Sequence, residues 1–107
     1  MSWTFLSNHA HVLVALARDP EARQRDIAAE VGITERGVSR ILSELEEAGV
    51  VSREREGRRN RYEIDTTVHL RHALEASRTV GSLLSMVLEP AEARRLGLRG
   101  TRGGAGC

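Results

Sequence analysis

Between Arg25 and Gly49 the sequence spells two short amphipathic helices in succession, with only Val31-Gly32-Ile33-Thr34 to connect them. From Arg25 to Val31 the apolar Ile27, Ala28 and Val31 share one helical face, and Gly32 stops the helix because glycine accepts the left-handed conformation beyond a helix end. Thr34 then caps a further helix whose inward stripe is Val38, Ile41, Leu42 and Leu45, and Gly49 ends it. That stripe leaves Glu35, Arg36, Gly37, Ser39, Arg40, Ser43 and Glu47 on the outer face. The connection is tight, and the face turned outward is polar and bears Arg36 and Arg40.

Two helices joined in this way form the helix-turn-helix signature. A first helix is expected before them, from Ser7 to Arg18, with Ala10, Leu13, Val14 and Ala17 inward, Leu6 one turn earlier and Ser7 or Asn8 at its cap. Asp19-Pro20 ends it, since the residue before proline is pushed out of the α region. After Gly49 the period changes. Val50 to Glu56 and Arg61 to Asp65 read as two strands of a hairpin whose polar tip is Gly57-Arg58-Arg59-Asn60. Helical spacing returns from Val68 to Glu89 through Leu70, Ala73, Leu74, Ser77, Val80, Gly81, Leu84, Val87 and Leu88, and Pro90 marks its end. The expected fold is mainly α with a small β-hairpin wing, in the order α-α-α-β-β-α. It occupies one domain over residues 1–93, followed by a flexible Gly/Arg-rich tail over 94–107 that ends in Cys107.

Composition narrows the function. Trp3, Phe5 and Tyr62 are the only aromatic residues, too few for a reader that stacks on single-stranded bases. All sixteen basic residues are Arg, the side chain that grips phosphate and guanine edges in bidentate fashion. The net charge of +1 hides a local excess: five Arg and only two Glu lie between Arg53 and Arg61. One Cys cannot make an internal disulfide, and Val12 to Ala17 is too short an apolar run to span a bilayer, so a cytoplasmic protein without membrane contact is expected. There is no nucleophile with a matching base, no phosphate-cradling Gly loop before a helix and no catalytic carboxylate pair. An enzyme is therefore not expected, nor a cofactor.

The run from Arg25 to Val51, followed by Arg-Glu-Gly-Arg-Arg-Asn-Arg-Tyr-Glu-Ile at 55–64, resembles the reading head and wing of winged helix-turn-helix regulators of the ArsR and MarR type. The resemblance covers between a third and a half of the chain. It implies a third helix in the DNA major groove, a wing on the backbone or minor groove, and outer helices that form a homodimer. ArsR-type metal sensors often carry a Cys-containing motif at the start of this unit; no Cys stands there in this chain, so metal sensing does not carry over.

The expected function is thus a sequence-specific transcriptional regulator that binds double-stranded DNA. It would act as a homodimer through residues 3–18 and 68–89, with residues 34–48 as recognition helix and 56–61 as wing. Arg36 and Arg40, four apart, would meet guanine edges or phosphates, unless they are solvated helix charges paired with Glu44 or Glu47. Glu35 and Ser43 share the presented face, Gly37 would permit close approach, and the Thr34 and Ser39 hydroxyls suit phosphates. On the wing, Arg58, Arg59 and Arg61 are the candidate backbone contacts, with Arg58 and Arg59 at the tip; the other reading is a solubilising loop. Arg53 and Arg55 are offset by Glu54 and Glu56 or support the sheet, and Tyr62 packs beneath the wing. His9, His11, His69 and His72 are read as ordinary surface or interface histidines, and no metal site is expected. The competing reading is a winged-helix protein-interaction adaptor, with Glu44, Glu46 and Glu47 on its binding surface and no DNA role.

Overall fold

The computed structural model describes residues 3–98. They divide into two compact units with the boundary between Ile64 and Asp65. The first unit contains helices α1 (Asn8–Arg18), α2 (Gln24–Val31) and α3 (Glu35–Glu47), then strands β1 (Val51–Glu56) and β2 (Arg59–Ile64). Three helices followed by a two-stranded antiparallel hairpin is an arrangement compatible with a winged helix.

Each helix of this unit starts and stops where local chemistry directs. The Ser7 hydroxyl accepts the Ala10 N–H at the start of α1, and Asp19, before Pro20, is extended and ends the helix. Gly32 takes a φ of 90° after α2. Thr34 Oγ1 accepts the Gly37 N–H at 3.0 Å to open α3. Beyond α3, Gly49 has a φ of 78°, which lets the Val50 N–H reach back to the Leu45 carbonyl at 2.9 Å.

The α3 stripe of Val38, Ile41, Leu42 and Leu45 is buried as the spacing indicated. The α1 stripe is broader than expected: Val12, Ala15 and Leu16 join Ala10, Leu13 and Ala17 in the core, while Val14 is only half-buried. The cause is position. Helix α1 packs against α2, α3 and β2, and a helix with neighbours on several sides needs apolar residues around most of its circumference.

The hairpin is tighter than the sequence suggested. Glu56 pairs with Arg59, so only Gly57-Arg58 forms the loop, and Arg59 and Asn60 lie within β2. A positive φ of 64° at Gly57, with Arg58 on the negative side, suits a two-residue hairpin turn that needs glycine first. On the other edge of β2 the Tyr62 N–H donates to the Pro20 carbonyl at 3.0 Å, which ties the hairpin to the α1–α2 connection. The Tyr62 ring is buried.

The second unit departs most from expectation. Residues 68–89 are not one helix. Helix α4 spans only Val80–Val87, and a short α5 (Pro90–Arg95) follows. Before α4 the chain folds back on itself: His69 bridges to Thr79, the Leu70 N–H reaches the Arg78 carbonyl at 2.9 Å, and the Val80 N–H reaches that of Val68 at 2.8 Å. Side chains compete with helix formation here. His72 Nδ1 accepts the Leu74 N–H at 3.0 Å, and His69 Nδ1 donates to the Ala76 carbonyl at 2.8 Å. Thr79, suited to a cap, accepts the Ser82 N–H and so starts α4 rather than continuing a helix through it. Leu74, assigned to the inward stripe, is instead almost fully exposed. Gly81 permits the close approach, since a Cβ there would lie 3.0 Å from the Thr66 carbonyl oxygen.

Pro90 occupies the first turn of α5, where its missing N–H costs nothing, and the Glu89 N–H donates to Glu92 Oε1 at 3.1 Å. Arg94 and Arg95, placed in the tail by the sequence reading, close this helix. Leu96 caps that helix and the Leu98 N–H reaches the Ala93 carbonyl at 3.0 Å, while the rest of the expected tail, residues 99–107 with Cys107, lies outside the described residues.

Candidate functional site

The candidate residues on the helix all lie on α3 or at its cap. Arg36, Ser39, Arg40 and Ser43 are exposed, as are Thr34 and Glu35. Arg36, Arg40 and Ser43 follow at four- and three-residue spacing and so share a face. Neither Arg36 nor Arg40 has an ion-pair partner within 4.0 Å among the described residues. Of the two acids that stood as alternative partners, Glu44 is engaged elsewhere and Glu47 makes no ion pair among the described residues. His9 Nε2, on α1, lies 2.6 Å from Glu44 Oε1, and Arg53 Nε lies 3.4 Å from Glu46 Oε2. The hydrogen bond from His9 holds the Glu44 carboxyl below the usual carboxylate range; desolvation opposes this in part, and the charges of His9 and Arg40 add to it.

Two residues of the set also have structural duties, the first of them expected from the sequence. The Thr34 hydroxyl is the cap of α3, though its own proton remains available to an acceptor. A Cβ at Gly37 would lie 3.3 Å from that same Thr34 Oγ1 and 3.6 Å from Ile33 Cδ1, so glycine here already serves the chain's own packing. Between α1 and α3 runs an open groove of about 530 Å³, lined by Asn8, His9, Ile33, Thr34, Gly37, Arg40 and Ile41.

The register of the hairpin sorts its charges. Alternation places Arg53 and Arg55 opposite Tyr62 and Asn60 on one face, which carries no acid. The other face mixes Glu54, Glu56 and Glu63 with Arg59 and Arg61, in the cross-strand pairs Glu54–Arg61 and Glu56–Arg59. Glu21, in the α1–α2 connection, adds to that second face. Its carboxylate accepts from Arg61 Nη1 at 3.2 Å and stands 4.0 Å from Arg59 Nη1. Arg59 is therefore neither at the tip nor free of an acidic neighbour, and Arg61 is tied to Glu21. Arg58 occupies the turn, exposed and without an ion-pair partner among the described residues. Arg55 lies nearby, its Nε donating to the Gly57 carbonyl at 3.2 Å. The sequence reading had Arg55 offset by Glu54 and Glu56 or supporting the sheet; strand alternation sets it on the face opposite both acids.

His69 and His72 are each committed to a backbone hydrogen bond, and among the described residues no three His, Cys, Asp or Glu gather as a metal-binding group. No described helix is long and apolar enough to cross a membrane.

A family model described as a domain of unknown function, DUF7343, matches residues 5–64. The chain belongs to the DUF7343 family. A search of curated proteins returned no match. The DUF7343 segment ends at Ile64, the last residue of β2 and the boundary between the two units. It thus contains α1 to β2 with every candidate residue from Thr34 to Arg61, and α4 and α5 lie beyond it.

Proposed function

We propose that this chain is a winged helix-turn-helix regulator of transcription that binds double-stranded DNA in the cytoplasm, with α3 in the major groove and the β1–β2 hairpin as its wing. The observation that carries the reading is the state of Arg36 and Arg40. Both stand exposed on one face of α3 with no ion-pair partner among the described residues, while Glu44 and Glu46 are engaged by His9 and Arg53. Guanidinium groups so presented suit the guanine O6 and N7 edge, or phosphates beside it. Ser39, Ser43 and the Thr34 hydroxyl proton are placed for phosphates, and Glu35 borders the same face.

The wing's contribution rests on Arg58, with Arg55 beside it, because Arg59 and Arg61 share Glu21. Arg58 at a tight turn can reach a neighbouring phosphate or enter a narrow minor groove.

Homodimerisation would give two reading heads for a pseudo-palindromic site. The apolar surface on offer is smaller than a long final helix would have supplied. Val12, Leu13 and Leu16 of α1 are buried within the chain, which leaves Trp3 and Phe5 exposed before α1, and, in the second unit, Leu74 and Met86. Those residues are the proposed contacts. The adaptor reading draws support from the same aromatic pair: Trp3 and Phe5 meet edge to face at 5.0 Å between ring centroids while both remain exposed.

Fluorescence anisotropy separates the two. The DNA reading expects the chain to bind a duplex selected from a random-sequence pool, with affinity falling steeply as salt rises. Arg40→Ala should cost about 1–3 kcal/mol of discrimination at one base position, whereas Arg58→Ala should weaken every duplex alike. Duplex affinity that neither substitution changes would remove this docking and favour the adaptor.

A further inference from the structure

Helix α3 presents Arg40 one turn before Glu44, and an unoccupied Glu44 carboxylate could draw Arg40 towards itself and away from DNA. The structure shows a third party. His9, from α1, lies 2.6 Å from Glu44 Oε1, and both side chains are about half exposed. His9 and Arg40 also line the same groove. We infer that His9 and Glu44 act as a positioning pair that makes the DNA affinity of Arg40 depend on pH; the inference rests on the DNA reading of α3.

The charge balance gives the sign. With the imidazole protonated, His9 and Glu44 sum to zero, and Arg40 faces DNA with its full charge. With the imidazole neutral, the hydrogen bond can persist, but Glu44 leaves one uncompensated negative charge a helical turn from Arg40. That charge attracts Arg40 and repels phosphate, so affinity falls when the imidazole loses its proton. The other groups facing His9 do not blur this. Of the residues that line the groove with His9, Asn8, Ile33, Thr34, Gly37 and Ile41 are uncharged and Arg40 is charged, while on α3 itself Glu47 lies three residues beyond Glu44 and adds a carboxylate common to the wild type and both variants. Three and four residues along α1 from His9 are Val12 and Leu13, both buried.

The test is duplex affinity of the full chain at about pH 5.5 and about pH 8, on either side of histidine's range. The probe is a duplex selected by the wild-type chain from a random-sequence pool, and the comparison is between wild type, His9→Gln and Glu44→Gln. Wild type should bind roughly threefold more weakly at the higher pH, the size of one unit-charge interaction at about 6 Å in water. His9→Gln should hold the weaker value at both pH values, and Glu44→Gln the tighter one. A purely structural pair would give the opposite pattern for Glu44→Gln, with weakened binding throughout. Because both residues are surface groups, the folded state of each variant is checked by its urea midpoint. A pH dependence that survives His9→Gln or Glu44→Gln overturns the inference and leaves the DNA reading standing. Absence of duplex binding at both pH values removes the DNA reading, and this inference with it.

Discussion

Glu21→Gln separates two roles that the same geometry allows for the wing arginines. Glu21 accepts from Arg61 at 3.2 Å and stands 4.0 Å from Arg59, and these side chains are between 41% and 54% exposed. Exposed ion pairs contribute about 0.2–1 kcal/mol each, and the longer contact belongs at the bottom of that range. The substitution should therefore lower stability by about 1 kcal/mol or less. The hairpin stays docked, because the Tyr62 N–H still donates to the Pro20 carbonyl and the Tyr62 ring remains buried. Two guanidinium groups are then released beside Arg58. If each gains a phosphate, the slope of log affinity against log salt steepens by about 0.9 per contact, hence by up to about 1.8. Urea denaturation gives the first quantity, and anisotropy titrations at several salt concentrations give the second. A weaker affinity with a shallower slope would mean the opposite, that Glu21 holds Arg59 and Arg61 in place for DNA instead of competing with it.

Other perturbations probe the frame that carries the site. Gly81→Ala would set a Cβ 3.0 Å from the Thr66 carbonyl oxygen and should destabilise the chain by about 1–3 kcal/mol, read from its urea midpoint. Thr34→Ala removes the cap of α3 and should cost about 1 kcal/mol in the same assay, with duplex affinity reduced as well. Thr67 donates its hydroxyl at 2.6 Å and its N–H at 2.9 Å to Asp65 Oδ1, and the hydroxyl bond first, then the backbone bond, holds that carboxyl below its ordinary range. The unfolded chain therefore takes up this proton at a higher pH than the folded one. The stabilisation is present above the ordinary Asp range and is lost as pH falls through the lowered folded value. Asp65→Asn should remove that part of the acid dependence of the urea midpoint, while an unaltered profile would show that the Thr67 bonds do not matter.

The parts of the fold that were legible in the sequence are those decided within a few residues. Val38, Ile41, Leu42 and Leu45 define one face of α3, and Gly32, Thr34 and Gly49 bound it, so the outer face followed directly. The hairpin tip was less legible because Gly57, Arg58, Arg59 and Asn60 all suit a turn, and the pairing of Glu56 with Arg59 decides which of them form it. Helical spacing over 68–79 misled for a related reason. Leu70, Ala73, Leu74 and Ser77 recur at the right interval, but side-chain bonds from His69 and His72 and the cap at Thr79 satisfy the backbone otherwise. The ion pairs that sort the arginines were not legible at all. His9 and Glu44 are 35 residues apart, and Glu21 and Arg61 are 40 apart, so only the packing of α1 and its following connection brings them together.

Whether the outer face of α3 meets DNA can be read residue by residue. A titration of the labelled chain with its selected duplex, followed by backbone amide and Arg side-chain NMR signals, tests it most directly. If the face meets DNA, the largest shifts fall at Thr34 to Ser43 and at Gly57-Arg58, with Arg36, Arg40 and Arg58 side-chain signals moving together. Shifts confined to Trp3, Phe5 and the loop around Leu74, with α3 and Arg58 unmoved, would contradict it.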